Sequence, residues 1–184
     1  PHGCIQGESS HAGRSCVFVR LTACNLRCSY CDTEYAFYEG KERSIDEIVA
    51  EVVAFPCDLV EITGGEPLMQ QIALAPLAIS LKRWGFYCEV ETNGTLVPNS
   101  QMVEAVSQWN VSPKLATSGN PTEQRQIPTV LASFVDLPQA YFKFVVARDS
   151  DIQEVNRLTL EFRIPRDRVL LSPEGRTPDV LAKR

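Results

Sequence analysis

CVFVRLTACNLRCSYCDT, Cys16 to Thr33, sets a strand pattern directly in front of a cysteine cluster. Its first part, Cys16 to Leu21, is apolar and β-branched and reads as a strand. The loop behind it spaces Cys24, Cys28 and Cys31 as C-x3-C-x2-C, with no fourth cysteine close by. Thiolates are soft ligands that suit zinc, copper(I) and iron–sulfur clusters. A structural zinc normally closes on four protein ligands, often as two C-x2-C pairs. The nearest further cysteines, Cys16 and Cys57, make no such pair. Three thiolates suit a four-iron cluster, because one iron then stays open for a substrate or cofactor. Zinc completed by a distant fourth ligand is the competing reading.

Outward from that loop the chain alternates helix and strand patterns. In SIDEIVAEVVAF, Ser44 caps a helix and Glu47 completes a capping box. Ile45, Ile48, Val49, Val52 and Val53 make its apolar face. DLVEIT (58–63) is the next strand, ended by Gly64-Gly65. Leu68 to Trp84 is helical in pattern, with a kink or break expected at Pro76. FYCEVET (86–92) is a strand closed by Asn93-Gly94, Gln101 to Gln108 a short helix, and WNVSP (109–113) a strand tip. Thr117 to Pro128 reads as a polar loop. AYFKFVV (140–146) is a strand, Asp149 to Phe162 a helix, RVLLSP (168–173) a strand, and Thr177 to Arg184 the start of another helix. This order predicts an α/β fold of parallel strands joined by right-handed crossovers. Six strands are too few for a closed eightfold barrel, so residues 1–184 are expected to form one domain, an open, partial (β/α)6 barrel. Active faces of such architectures lie at the C-terminal strand ends. The cysteine loop and the clusters at 63–66, 92–94, 112–114 and 172–174 should therefore meet at one rim.

The 184 residues carry a formal charge of -5, which provides no global basic field for nucleic acid or an anionic membrane. No apolar run approaches the ~20 residues that span a bilayer, and no secretory signal is visible. Seven cysteines, an odd number, fit a reducing, cytoplasmic setting better than a disulfide framework. Cys4, Cys16, Cys57 and Cys88 are expected to be buried thiols behaving as small apolar residues. The start at Pro1 suggests a trimmed N-terminus.

The cysteine loop, with TGGEP (63–67) behind a strand, resembles the radical S-adenosylmethionine (SAM) superfamily. IQGESSHAGRSCVFVRLTACNLRCSYCDTEYAF, Ile5 to Phe37, is similar almost throughout to the 7-carboxy-7-deazaguanine synthase family. The likeness runs from Ile5 to about Gly175 and is least specific over 117–138. It implies a 4Fe–4S cluster on Cys24, Cys28 and Cys31, SAM on the open iron, and Mg2+. It also implies conversion of 6-carboxy-5,6,7,8-tetrahydropterin to 7-carboxy-7-deazaguanine with loss of ammonia, a step toward 7-deazapurine nucleosides of tRNA such as queuosine. A flavodoxin or ferredoxin as electron donor and a homodimer come with it.

The same resemblance assigns roles. Ile5, Gln6, Gly7, Glu8, Arg20 and Thr63 stand where the family binds substrate. Gln6 and Glu8 can meet pterin N–H groups, and Arg20 offers a fork for the substrate carboxylate. Thr33 stands at the Mg2+ ligand. Tyr30, Asp32, Gly64, Gly65, Glu66, Ser112, Pro113 and Lys114 stand beside SAM, as do Ser172, Pro173, Glu174 and Gly175. Thr92 and Asn93 line the pocket or make only a strand-end turn. Ala23 and Ser9 replace glycines common in the family. The chain stops at Arg184, where the family continues for about a helix and a strand, so a C-terminal segment with a further substrate contact is expected to be missing. Two alternatives stand beside this reading: a radical SAM activase that installs a glycyl radical on a partner protein, and a zinc-stabilised binding protein without catalysis.

Overall fold

A computed structural model describes residues 1–175; the helix expected over 177–184 lies outside them. One sheet holds seven strands in chain order: β1 (His2–Ile5), β2 (Ser15–Leu21), β3 (Leu59–Gly64), β4 (Tyr87–Thr92), β5 (Gln108–Val111), β6 (Ala140–Val146) and β7 (Val169–Pro173). β2 to β7 are the six expected parallel strands. β1 is an addition, antiparallel to β2 with Gly3 opposite Val17. It is four exposed residues at a sheet edge and carries no alternation to announce it.

The crossovers are helical. They comprise α1 (Ile45–Val53), α2 (Gln71–Arg83), α3 (Ser100–Ala105), α4 (Thr122–Arg125), α5 (Pro128–Val135) and α6 (Asp149–Glu161). Ser44 and Glu47 form the expected reciprocal capping box on α1. Pro76 does not break α2, which runs on through it. The carbonyl that Pro76 leaves without an amide is that of Ile72, in the first turn of the helix, where the side chain is 86% exposed. The polar stretch 117–128, expected as loop, contains α4 and a single 3-10 turn at Ala116–Ser118.

Strand side chains alternate between two different environments. Val17, Val19, Val60, Ile62, Cys88, Val90, Trp109, Val111, Phe142 and Phe144 are buried in one apolar core with Leu74, Leu77 and Leu81 of α2, Phe134 of α5 and Leu158 of α6. The opposite face carries Arg20, Glu61, Thr63, Glu89, Glu91, Gln108, Asn110, Ser112 and Lys143, most of them buried too. A parallel sheet covered on both faces normally reads as unbroken apolar strands. Here most of the alternate positions are polar, so the concave side of the sheet is built to hold something other than a core. Of the scattered cysteines, Cys16 and Cys88 are buried as expected, with burial pushing their thiols up to about 11 and about 12. Cys57 is half-buried, and Cys4, on the edge strand, is exposed, contrary to expectation.

Candidate active site

The concave face closes around a cavity of about 360 Å³. Cys24, Cys28 and Cys31 line it, with Arg20 and Thr33 nearby and residues from the ends of β3 to β7. The cysteine loop is fixed from several sides. Arg27 donates to the Cys24 carbonyl at 2.6 Å and lies over the Phe37 ring. Asn93 Nδ2 donates to Asn25 Oδ1 at 2.8 Å, tying the β4 end to the loop. From the stretch after β5, Ser118 O accepts from the Ser29 amide at 2.9 Å. Asn120 Oδ1 accepts from the Arg27 amide at 2.9 Å, and its Nδ2 donates to Cys28 Sγ at 3.3 Å. Burial pushes the Cys24 and Cys28 thiols up; the Leu26 amide at Cys24, and Lys114 with Asn120 at Cys28, work against it.

Gly64 and Gly65 are needed where they stand. A Cβ on Gly64, whose φ is +145°, would lie 2.1 Å from the Leu21 carbonyl oxygen; one on Gly65 would lie 1.9 Å from that of Ala23. The β3 end runs against the backbone that enters the cysteine loop, and the Glu66 amide donates to the Ala23 carbonyl at 2.7 Å. Glu66, expected beside SAM, is fully buried and lies off the cavity wall. Its carboxylate accepts from the Asn93 amide (2.7 Å), Thr92 Oγ1 (2.8 Å) and the Leu68 amide (3.0 Å). It locks the β3 and β4 ends together, and Thr92 and Asn93 therefore serve as turn and wall at once. Ile5, 61% exposed on β1, and Pro113 also lie off the wall. The other residues assigned by sequence reach it: Gln6, Gly7, Glu8, Arg20, Tyr30, Asp32, Thr33, Thr63, Gly64, Gly65, Ser112, Lys114 and 172–175.

Beneath the wall is a polar floor. Gln6 Nε2 donates to Glu61 (2.9 Å) and Glu89 (3.2 Å), while its Oε1 accepts from the Glu8 amide (3.1 Å). Asn110 Nδ2 donates to the same two carboxylates, and His11 Nδ1 contacts Glu89. Both Gln6 donors are thus taken by the protein, and the side chain ties the floor to the cavity wall that Gln6 lines. Burial and the adjacent Glu89 and Glu91 push the Glu61 carboxyl well up. Higher on the same face, Lys143 Nζ donates to Glu8 and Glu91. Burial opposes the Lys143 charge, but these two carboxylates outweigh it and hold its pKa above the ordinary value. Ser172, expected beside SAM, donates to Glu8 at 3.0 Å.

Two cavity-lining residues each keep a buried polar atom without a protein partner: Arg20 at Nε and Tyr30 at its hydroxyl. Arg20 makes no ion pair or hydrogen bond among the described residues, which leaves its guanidinium for a ligand. Among the described residues no three His, Cys, Asp or Glu side chains gather around one point as a single ion requires. A four-iron cluster takes its thiolates at separate corners, and three cysteines along one wall suit that. Asn120, Glu61, Glu89, Glu91 and Lys143 were not singled out by motif. A lysine inside the apolar run AYFKFVV and glutamates at alternate positions of FYCEVET are the signals that would have found Lys143, Glu89 and Glu91.

The fold and its three-thiol loop define a radical SAM protein: the pattern of the Radical SAM superfamily matches residues 19–112. The chain is 40% identical over 180 residues to a 7-carboxy-7-deazaguanine synthase of Pyrobaculum aerophilum, covering 95% of this chain and 78% of that one. It is 38% identical over 176 residues to the synthase of the same name from Hyperthermus butylicus, covering 92% and 73%. The crystal structure of QueE from Escherichia coli superposes with a TM-score of 0.72 at 25% identity, over 99% of this chain and 84% of that one. The chain belongs to the 7-carboxy-7-deazaguanine synthase family.

Proposed function

We propose that the cavity places SAM against a 4Fe–4S cluster on Cys24, Cys28 and Cys31 and takes 6-carboxy-5,6,7,8-tetrahydropterin on the facing wall. The product is 7-carboxy-7-deazaguanine, with release of ammonia. The observation that carries this is Arg20, a half-buried arginine on the cavity wall whose guanidinium makes no hydrogen bond or ion pair among the described residues. A carboxylate would satisfy it with charge-assisted bonds.

When bound, the reduced cluster and SAM supply radical chemistry that takes a hydrogen atom from substrate. The chain's own residues bind and orient. Arg20 holds the substrate carboxylate, while Glu8, Glu91 and Thr63 present acceptors to the N–H-rich ring edge. Lys114, with its Nζ on Ser112 Oγ at 2.9 Å, and the Tyr30 hydroxyl stand on the SAM side. Thr33, whose hydroxyl donates to Asp32 at 2.7 Å, gives Mg2+ an oxygen-rich corner. Phe18, Leu26 and Phe37 add apolar wall that excludes water.

The reading requires an outside electron donor, a flavodoxin or ferredoxin, and the resemblance adds a homodimer, for which exposed Met69 and Ile72 offer apolar surface to bury. Seven free cysteines and an oxygen-sensitive cluster suit a reducing cytoplasm. No helix among the described residues is long and apolar enough to cross a membrane.

Arg20→Gln tests the assignment. Binding of the 6-carboxy-tetrahydropterin is expected to weaken by about 10- to 100-fold, while a tetrahydropterin without the carboxylate binds both forms alike. Equal loss for both ligands would remove Arg20 from the carboxylate.

A further inference from the structure

Lys143 is the charged residue the motifs leave unexplained. It sits mid-strand on β6, between Phe142 and Phe144, which are buried in the apolar core. Its own side chain faces the other way, onto the cavity wall, and only 4% of the residue is exposed. Burying an ammonium in a parallel sheet is unfavourable unless it is paired. Its two partners come from distant parts of the chain: Glu8 from the turn after β1 and Glu91 from β4. Both partners line the same cavity. Their remaining oxygens are set by Ser172 of β7, at 3.0 Å from Glu8, and by Thr63 of β3, at 3.4 Å from Glu91. An ammonium has three donors. Two are used here, and the third has no protein partner among the described residues.

We propose that Lys143 is a substrate-positioning residue, which fixes Glu8 and Glu91 as oriented acceptors on the cavity wall. This rests on the pocket taking the carboxylated tetrahydropterin. Without a cation between them, two neighbouring carboxylates would repel each other and the carboxylate of the incoming substrate. With it, the wall offers acceptors to the N–H edge, while Arg20 faces the anionic end. The spare ammonium donor is left for an acceptor on the bound ring. A plain structural ion pair has no reason to end on Glu8, whose side chain stays 46% exposed at the cavity.

The test measures two dissociation constants on the anaerobically reconstituted holoenzyme, one for 6-carboxy-tetrahydropterin and one for SAM. In Lys143→Met the pterin constant is expected to rise about thirtyfold, as a charged positioning contact is lost, with SAM within about twofold of wild type. Lys143→Arg, which keeps the charge, should recover most of the affinity. If Lys143→Met fails to fold, Lys143→Met/Glu91→Gln removes the excess buried charge and is compared with Glu91→Gln alone; about a tenfold weaker pterin affinity is expected of the double variant. Unchanged pterin affinity in the folded variants, or equal losses for pterin and SAM, overturns the role of Lys143 and leaves the substrate reading intact. Wild-type protein that binds SAM but not the pterin overturns both.

Discussion

Ala23 and Ser9 hold backbone that glycine would hold without strain. Their φ values are 70° and 64°, in the left-handed region. The Cβ penalty there is roughly 1–2 kcal/mol. Ala23→Gly is expected to raise stability by up to about 1 kcal/mol, read as an upward shift in Tm. Ser9→Gly gains less, because Ser9 Oγ donates to the buried Glu89 at 3.3 Å. Gly65→Ala runs the other way. Its Cβ would meet a carbonyl oxygen at 1.9 Å, so the β3 end must move off the cysteine loop. A loss near 3 kcal/mol, the upper end for overpacking, is expected, together with poor cluster incorporation seen by visible absorption. The resemblance sets Gly64 and Gly65 beside SAM, and both line the cavity; the close contact that excludes a Cβ is between two backbone segments. The register of β3 against the loop decides that, and no local pattern contains it. Likewise Glu66 reads as a ligand contact until its three internal donors are seen.

The elements show which features are local and which are not. The α1 cap was legible because a capping box lies within four residues, Ser44 to Glu47. Ser44→Ala should cost about 1 kcal/mol, a Tm shift of about 2–4 °C for a chain of this size. The six parallel strands were legible from β-branched runs between turn residues. Missed were β1, held only by its neighbour, and α5, whose Pro128 start lies at the end of an expected loop. Residues 117–120 fall within 117–138, where the likeness is least specific, yet they support the cysteine loop through Ser118 and Asn120. Donors to cluster sulfurs raise reduction potential by stabilising the more negative, reduced state. Asn120→Ala is therefore expected to lower the cluster potential by tens of millivolts, on the order seen for one lost hydrogen bond. An electron paramagnetic resonance titration would show it, and an unchanged potential would confine Asn120 to holding the loop.

Across the whole molecule, one sheet separates an apolar core from a polar, largely buried concavity. Glu61 illustrates the consequence. Its carboxyl keeps a proton in the folded chain at pH values where the unfolded chain has lost it. Folding then takes up a proton, so this group costs stability as pH rises from the ordinary carboxylate range toward its own raised pKa. Glu61→Gln removes that cost. The Tm advantage of the variant over wild type is expected to widen as pH rises above the ordinary carboxylate range, and a constant gap would contradict a raised Glu61 carboxyl. The rim at which the strand-end clusters meet was legible from topology alone; the floor was not, because Gln6, Glu89 and Asn110 come from the turn after β1, from β4 and from β5, and only the folded sheet joins them. The most direct measurement is turnover. Protein reconstituted anaerobically with iron and sulfide, reduced, and given SAM, Mg2+ and 6-carboxy-tetrahydropterin should yield 7-carboxy-7-deazaguanine and ammonia by mass spectrometry and ammonia assay, and Cys28→Ala should yield neither. A reduced, cluster-loaded protein that cleaves SAM but leaves the pterin intact would contradict the account.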